Sequence, residues 1–146
     1  MINFFIDTSA LIKIYHKEVG TEEMLTIYKG SDTLAISELA KIELLSSIYR
    51  KYRENEITQI TLDLIVEKFE TDCEERYDVL YFSSLIFEES WHLIRQLSKK
   101  YGLKTLDSLQ FSFFKTYCDK KTVFACADLT LEKLIKREGF NTYLPL

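Results

Sequence analysis

The chain has 146 residues, 47% of them hydrophobic, and this length and composition predict one domain with its own core, spanning residues 1–146. A net charge of −4 argues against a protein that binds nucleic acid through its overall electric field, although local basic segments can still line a groove. The three cysteines lack a Cys-x-x-Cys spacing, and no signal-peptide pattern or apolar run of about 18 residues is present. We therefore expect a cytoplasmic protein without a disulfide framework, a zinc site or a membrane segment.

Hydrophobic periodicity and glycine positions predict strands that alternate with helices. The predicted strands span residues 2–6, 33–36, 77–82, 122–126 and 141–144. The predicted helices span about 8–17, 21–29, 37–53 with Ser37 as N-cap, 58–75, 84–101 after Ser83 or Ser84 and before Gly102, 105–118, and 129–138 before Gly139. This alternation predicts an α/β fold in which helices flank a mostly parallel sheet.

Two predicted strands end on an aspartate that is followed at once by a helical pattern. Asp7 stands in "INFFIDTSALIKIY", and Asp128 stands in "TVFACADLTLEKL". Each can be a helix N-cap, because Asp accepts hydrogen bonds from the first free N–H groups of a helix. Ligands also bind at the carboxyl ends of strands in open parallel sheets. If the two strands are neighbours, we expect the two acids to converge there.

A third acid, Glu43, lies in the middle of the third predicted helix. The side chains expected to face inward on that helix are Leu39, Ile42, Leu45 and Tyr49. At about 100° per residue, Glu43 falls on the margin of this stripe, on the side that carries Arg50. Two interpretations remain open: a Glu at the core margin that pairs with Arg50, and a site residue.

A fourth acid, Asp107, shares a helical stripe with Leu103, Phe111 and Phe114. A carboxylate directed toward a core is costly unless it is paired, hydrogen-bonded or bound to a metal. The alternative is a first-turn acid that interacts with the helix dipole, with Thr105 as N-cap.

The placement of all four acids suggests one acidic pocket. Oxygen ligands select hard divalent ions such as Mg²⁺ or Mn²⁺, and such a site can align a water molecule on a phosphodiester. His16 and His92 are isolated in the sequence, so a Ser–His–Asp or Cys–His arrangement is not predicted.

Four segments resemble, in order, the motifs of PIN-domain ribonucleases, and most closely those of the VapC-like toxins of type II toxin–antitoxin systems. The segments are "FIDTSALIKIY", "ISELAKIELLSSIYRK", "GLKTLDSLQFSFF" and "VFACADLTLEKLIKREGFNTYLPL". The resemblance implies a PIN-like three-layer α/β/α sandwich. It also implies an endoribonuclease that depends on Mg²⁺ or Mn²⁺ and leaves a 5′-phosphate and a 3′-hydroxyl.

By the same resemblance, the metal-binding and catalytic residues are Asp7, Glu43, Asp107 and Asp128. Thr8 or Ser9 would orient a carboxylate or a metal-bound water, and Glu43 would position the attacking water. One departure is Cys126, because family members often carry Thr or Ser two residues before the last acid. A hydroxyl beside the site is therefore expected to be missing.

The expected partners are an RNA substrate, a separate antitoxin protein and a second copy of the chain. The candidate substrate contacts are Thr8, Ser9, Lys13, Arg50 and Lys104. A homodimer is expected because the helices carry more apolar and aromatic positions than a small sandwich can cover.

Two other functions agree less well with the sequence than a ribonuclease does. The first is a non-catalytic PIN-like module that binds RNA or a protein partner. The presence of all four acids argues against it, because a module without catalysis would be free to lose them. A haloacid-dehalogenase-type phosphatase needs a second Asp where Ser9 stands.

Overall fold

The sheet contains the predicted strands in a parallel arrangement. The computed structural model describes residues 3–31 and 33–146, so Ile2, the first residue of the first predicted strand, lies outside the described residues. Within these residues the five strands are β1 (Phe4–Ile6), β2 (Leu34–Ser37), β3 (Asp78–Leu80), β4 (Val123–Ala125) and β5 (Thr142–Tyr143). Their order is β3-β2-β1-β4-β5, and each neighbouring pair is parallel. The prediction of an α/β fold with a parallel sheet is confirmed.

All seven predicted helices are present in the described part of the chain. They are α1 (Thr8–Tyr15), α2 (Thr21–Gly30), α3 (Glu38–Arg53), α4 (Gln59–Glu75), α5 (Ser84–Tyr101), α6 (Thr105–Tyr117) and α7 (Leu129–Arg137). Helix α1 ends two residues earlier than predicted, because His16 is already extended and its N–H donates to Ile12 O. The N-cap of α6 is Lys104, so the prediction of Thr105 as N-cap is wrong and Thr105 is the first helical residue.

The predicted helix ends follow from local chemistry. Ser37 caps α3, and its hydroxyl accepts from the N–H of Ala40 at 3.0 Å. Gly102 ends α5 in the left-handed conformation, with φ 65°, which a residue without Cβ adopts at little cost.

Two apolar clusters cover the two faces of the sheet, because successive strand residues point to opposite sides. Phe5, Ala35 and Phe124 belong to one cluster, which also contains residues of α5, α6 and α7. Ile6 and Ala125 belong to the other, together with residues of α1, α2, α3 and α4. The sheet therefore lies between two helical layers, as expected for the three-layer α/β/α sandwich.

The buried stripe of α3 is rotated from the predicted one. The buried residues of this helix are Leu39, Ala40, Leu44 and Ile48. Ile42 and Tyr49, predicted to face inward, are 65% and 44% exposed. Ala40 is small enough to let the helix approach the sheet, so the packing line follows Ala40, Leu44 and Ile48 at four-residue spacing. Glu43 lies directly beside this line.

None of the helices in residues 3–31 and 33–146 combines the length and the apolar character that a membrane crossing requires.

Candidate active site

The carboxyl ends of β1 and β4 bring Asp7 and Asp128 to the same edge of the sheet. The two strands pair in parallel, with Ile6 opposite Ala125. The N–H of Asp7 donates to Ala125 O at 2.9 Å, so the first residue after β1 is still tied to β4. The convergence expected for these two acids is thus produced by neighbouring strands.

A pocket of about 350 Å³ opens at this edge of the sheet. All four acids from the sequence line it, as do Thr8, Ser9 and Arg50. The full lining is Asp7, Thr8, Ser9, Ile12, Glu18, Glu43, Ser47, Arg50, Lys51, Asp107, Gln110 and Asp128. The helices α1, α3, α6 and the start of α7 therefore contribute to one concave surface.

Asp7 and Asp128 both cap helices, and each does so with one carboxylate oxygen. Asp7 Oδ2 accepts from the N–H of Ser9 at 3.2 Å and from its Oγ at 2.6 Å. Asp128 Oδ1 accepts from the N–H groups of Thr130 at 2.9 Å and Leu131 at 3.1 Å. Their second oxygens, Oδ1 and Oδ2 respectively, accept no hydrogen bond from the described residues. The capping role and a place in the pocket are therefore compatible.

Glu43 is held by a hydrogen-bond network. Its Oε1 accepts from Thr8 Oγ1 at 2.8 Å and from Gln110 Nε2 at 2.8 Å. No ion pair between Glu43 and Arg50 occurs in the described residues, although both line the pocket. Gln110 was not among the site residues predicted from the sequence. The sequence feature that could have identified it is a primary amide at an inward position of α6, three residues after Asp107.

Asp107 lies in the first turn of α6, partly buried, and makes no capping hydrogen bond within the described chain. Burial raises the pKa of its carboxyl, the charges of Asp128 and Glu43 raise it further, and Lys104 opposes them. Burial also raises the pKa of Asp7 to about 6, against the hydrogen bonds from Ser9, and repulsion from Asp107 and Glu43 adds to the effect. The acids thus repel one another across the pocket.

A comparison with protein-family models gives one decisive match. The model described as "PIN domain" matches residues 4–124. The chain belongs to the PIN domain family. PIN domains are nucleases, that is, hydrolases of nucleic acid. A comparison with curated protein sequences finds no match.

Solved structures share the fold at low sequence identity. The chain is similar to the sarcin-ricin loop cleaving toxin VapC20 of Mycobacterium tuberculosis, with 12% identity, a TM-score of 0.72, and 99% of this chain and 100% of that chain covered. It is similar to a chain of a toxin–antitoxin complex from Klebsiella pneumoniae, with 15% identity, a TM-score of 0.68 and 99% and 98% coverage. VapBC2 from Rickettsia felis, bound to a DNA fragment from its promoter, gives 17% identity, a TM-score of 0.65 and 99% and 98% coverage.

The cysteine that departs from the usual PIN pattern makes the contacts of a turn. The Sγ of buried Cys126 accepts from the N–H of Asp128 at 3.3 Å and donates to the Asp128 carbonyl at 3.4 Å. Burial raises the pKa of this thiol, so it remains neutral. A hydroxyl is still present beside it, because Ser9 Oγ accepts from the N–H of Ala127 at 3.0 Å. Ser9 therefore links α1 to the turn before α7.

Only some of the basic residues expected to contact the substrate line the PIN-domain pocket. Arg50 and Lys51 line it. Lys104 instead lines an adjoining cavity of about 100 Å³ that shares Asp107 and Asp128 with the pocket. The expectation for Lys13 is not supported, because its buried ammonium group donates to Val19 O at 2.6 Å and to Glu18 at 3.1 Å.

The donor set of this PIN domain suits a hard divalent cation held partly through water. Among residues 3–31 and 33–146, no three His, Cys, Asp or Glu side chains are grouped so that they alone could hold a metal ion. Mg²⁺, however, commonly keeps several waters and uses one or two carboxylates. The pocket offers carboxylate oxygens that accept no hydrogen bond from any described residue, and a cation would relieve the repulsion among the acids, so the residues fit such an ion.

Proposed function

We propose that this PIN domain is a divalent-metal-dependent endoribonuclease and the toxin of a type II toxin–antitoxin pair. The observation that carries the proposal is the pocket in which Asp7, Glu43, Asp107 and Asp128 converge. Each of these acids keeps at least one carboxylate oxygen without a hydrogen-bond partner in the described chain. Arg50 and Lys51 on the same pocket provide positive charge for a phosphate backbone.

In the proposed mechanism the acids have separate roles. Asp7, Asp107 and Asp128 would hold Mg²⁺ or Mn²⁺, directly or through water. When bound, the ion would neutralise negative charge that develops on the phosphate. Glu43 would position the attacking water and accept its proton on Oε2. As the water oxygen bonds to phosphorus, the P–O3′ bond breaks and the leaving 3′-oxygen takes up a proton from solvent, which leaves a 5′-phosphate and a 3′-hydroxyl.

Two hydroxyls, one guanidinium and one ammonium group complete the proposed substrate site. Ser9 holds Asp7 Oδ2 and Thr8 holds Glu43 Oε1, so both would act by orienting carboxylates. Arg50 would contact the RNA backbone in the pocket, and Lys104 would contact it from the adjoining cavity. We leave Lys13 out of this proposed set, because its ammonium group donates to Glu18 and to Val19 O.

The test is cleavage of end-labelled RNA with Mn²⁺ or Mg²⁺, with EDTA as the negative control. We expect Asp7→Asn to abolish cleavage. Asp63→Asn is the matched control, because Asp63 is an exposed acid on α4 that bonds only to Gln59 in the described chain. Products should carry 5′-phosphates. Cleavage that survives both EDTA and Asp7→Asn would refute the proposed site, and binding of RNA without cleavage would favour a non-catalytic PIN-like module.

The toxin role and an antitoxin partner are supported by the fold. Two of the similar structures are described as a toxin–antitoxin complex and as VapBC2. For this chain we propose a separate small antitoxin encoded beside it. Expression of the chain should arrest bacterial growth, and co-expression of the neighbouring short reading frame should restore it.

A homodimer is supported by an exposed surface that we call the α5 apolar face. Its members are Phe87 and Trp91 of α5, which are 62% and 58% exposed and whose ring centroids lie 6.2 Å apart. A cavity of about 360 Å³ lined by Phe87, Trp91, Ile94 and Leu109 lies on the same face. Contiguous apolar surface of this kind favours association.

We further propose that residues 1–146 act as one PIN-like domain in the cytoplasm. One sheet contains all five strands, and the family match spans residues 4–124. Cys73, Cys118 and Cys126 are free thiols, which suits a reducing compartment.

A further inference from the structure

Gln110 is a buried polar residue that the proposed mechanism does not use. It lies on α6, three residues after Asp107, and its side chain is only 1% exposed although it contributes to the pocket lining. Burial of a primary amide is unfavourable unless its donors and acceptor are hydrogen-bonded. Its contacts therefore indicate what the residue does.

The amide of Gln110 connects three elements. Its Oε1 accepts from Ser37 Oγ at 2.8 Å, at the end of β2. Its Nε2 donates to Glu43 Oε1 at 2.8 Å on α3 and to Thr8 Oγ1 at 3.1 Å on α1. All hydrogen-bonding groups of this amide thus face a partner of matching type, apart from the second lone pair of its oxygen.

The orientation of the amide follows from these partners. Ser37 Oγ accepts from the Ala40 N–H, so its own proton is free to donate to Gln110. If the amide were reversed, its oxygen would face the carboxylate of Glu43 and repel it. The hydrogen bonds therefore run in one direction, from Ser37 through Gln110 to Thr8 and Glu43, and a chain of this kind strengthens each member.

The consequence for Glu43 is that its two oxygens are no longer equivalent. Oε1 accepts from both Gln110 and Thr8, and Oε2 accepts no hydrogen bond from the described residues. We propose that Gln110 is a positioning residue that fixes the carboxylate of Glu43 with Oε2 directed to the reacting water, an inference that rests on the proposed nuclease function. A free Glu side chain would have to lose rotational freedom during the reaction, and the network removes that freedom beforehand.

Gln110→Met tests this role, because Met has a similar length and cannot hydrogen-bond to Glu43. The matched control is Ser112→Ala on the same helix, since Ser112 is fully buried, donates to Ser108 O and to no other described residue, and is absent from the pocket lining. We expect kcat to fall about 10–100-fold in Gln110→Met with KM for RNA within twofold of wild type. Ser112→Ala should retain the wild-type kcat.

A double-mutant cycle separates positioning from packing. In a Glu43→Gln background, Gln110→Met should have little further effect, because the carboxylate that it orients is already gone. The same cycle with Glu43→Met, measured by urea unfolding in EDTA, gives a readout that does not need cleavage, because loss of the shared Gln110–Glu43 hydrogen bond should make the two destabilisations non-additive. Equal losses in both backgrounds, or a Gln110→Met variant as active as Ser112→Ala, would overturn the inference.

A second variant and a wild-type control cover the cases in which Gln110→Met does not fold or the wild type does not cleave RNA. Thr8→Val removes the second donor to Glu43 Oε1 at the partly exposed start of α1, and it should show the same non-additivity if Gln110→Met does not fold. A wild-type protein that binds Mn²⁺ but does not cleave RNA refutes the proposed function, and the unfolding cycle still decides whether Gln110 and Glu43 are coupled.

Discussion

Asp7 uses one carboxylate oxygen to hold the start of α1 and leaves the other for the pocket, and Asp128 does the same at α7. Glu43 uses its oxygens in the same way, because Oε1 accepts hydrogen bonds from Thr8 and Gln110 and Oε2 is left for the pocket. A structural role for each acid therefore accompanies the proposed catalytic one. Asp107 is different, because neither of its oxygens accepts a hydrogen bond from the described residues.

Asp107→Asn is predicted to abolish RNA cleavage and to raise the free energy of unfolding in EDTA. The reason is that burial and the charge of Asp128 disfavour the ionised carboxylate, as the raised pKa of Asp107 indicates. Thermal unfolding with EDTA and cleavage with Mn²⁺ measure the two effects. If Asp107 only interacts with the helix dipole, the variant should instead lose a few tenths to about 1 kcal/mol and stay active.

The pKa of Asp7 predicts a pH dependence of stability without metal. It rises from an ordinary value of 3.8 to about 6, so the folded chain binds more protons than the unfolded chain between these pH values. The contribution to stability is present below the unfolded pKa and is lost as the pH rises through about 6. The difference corresponds to about 3 kcal/mol. Urea unfolding in EDTA should show this decline in wild type and a smaller decline in Asp7→Asn, in which Asp107 still has a raised pKa.

Divalent ions should reverse part of that loss. Mg²⁺ or Mn²⁺ is predicted to raise the melting temperature of the wild type, because a bound cation relieves the repulsion among the carboxylates. The increase should shrink in Asp7→Asn and persist in Asp63→Asn. Equal increases in wild type and Asp7→Asn would place the ion elsewhere.

At the scale of elements, a second buried acid ties together the helices on the face opposite α5, α6 and α7. Asp72 of α4 is 3% exposed and accepts from Tyr15 of α1 at 2.6 Å and Tyr28 of α2 at 2.8 Å. Lys68 also donates to it at 2.7 Å. Since α1 carries Thr8 and Ser9 at its other end, this contact supports the helix that holds the site.

Asp72→Ala is predicted to destabilise the fold by about 3 kcal/mol, because it leaves the part-buried hydroxyls of Tyr15 and Tyr28 without their carboxylate acceptor. Urea unfolding at neutral pH is the measurement. Asp63→Ala, an exposed acid on the same helix, controls for the loss of charge and side chain. A loss no larger than that of Asp63→Ala would mean that water replaces the carboxylate.

At the scale of the whole molecule, the α5 apolar face is predicted to form the homodimer interface. Light scattering at micromolar concentration should give twice the chain mass of 17.2 kDa for wild type. The double substitution of Phe87 and Trp91 by Ser should yield the monomer. Ile60→Ser is the control, because Ile60 is 74% exposed on α4, away from that face. A dimer that survives the double substitution would use another surface.

The sequence by itself determined the local features of this protein. The strands and helices follow from hydrophobic period, the caps from Ser37 and Gly102, and the two strand-to-helix aspartates from their position in the pattern. Asp107 was identified from its stripe with Phe111 and Phe114, both of which are buried. These features depend on residues within a few positions of one another, so a linear pattern is sufficient to reveal them.

The tertiary structure alone decided which distant groups meet. The pairing of β1 with β4 brings Asp7 beside Asp128, and the rotation of α3 on the sheet directs Glu43 toward Thr8. Gln110 joins Glu43 across 67 positions of sequence, a contact that no local period encodes. Such contacts depend on the packing of whole elements, which the periodicity of each element does not specify.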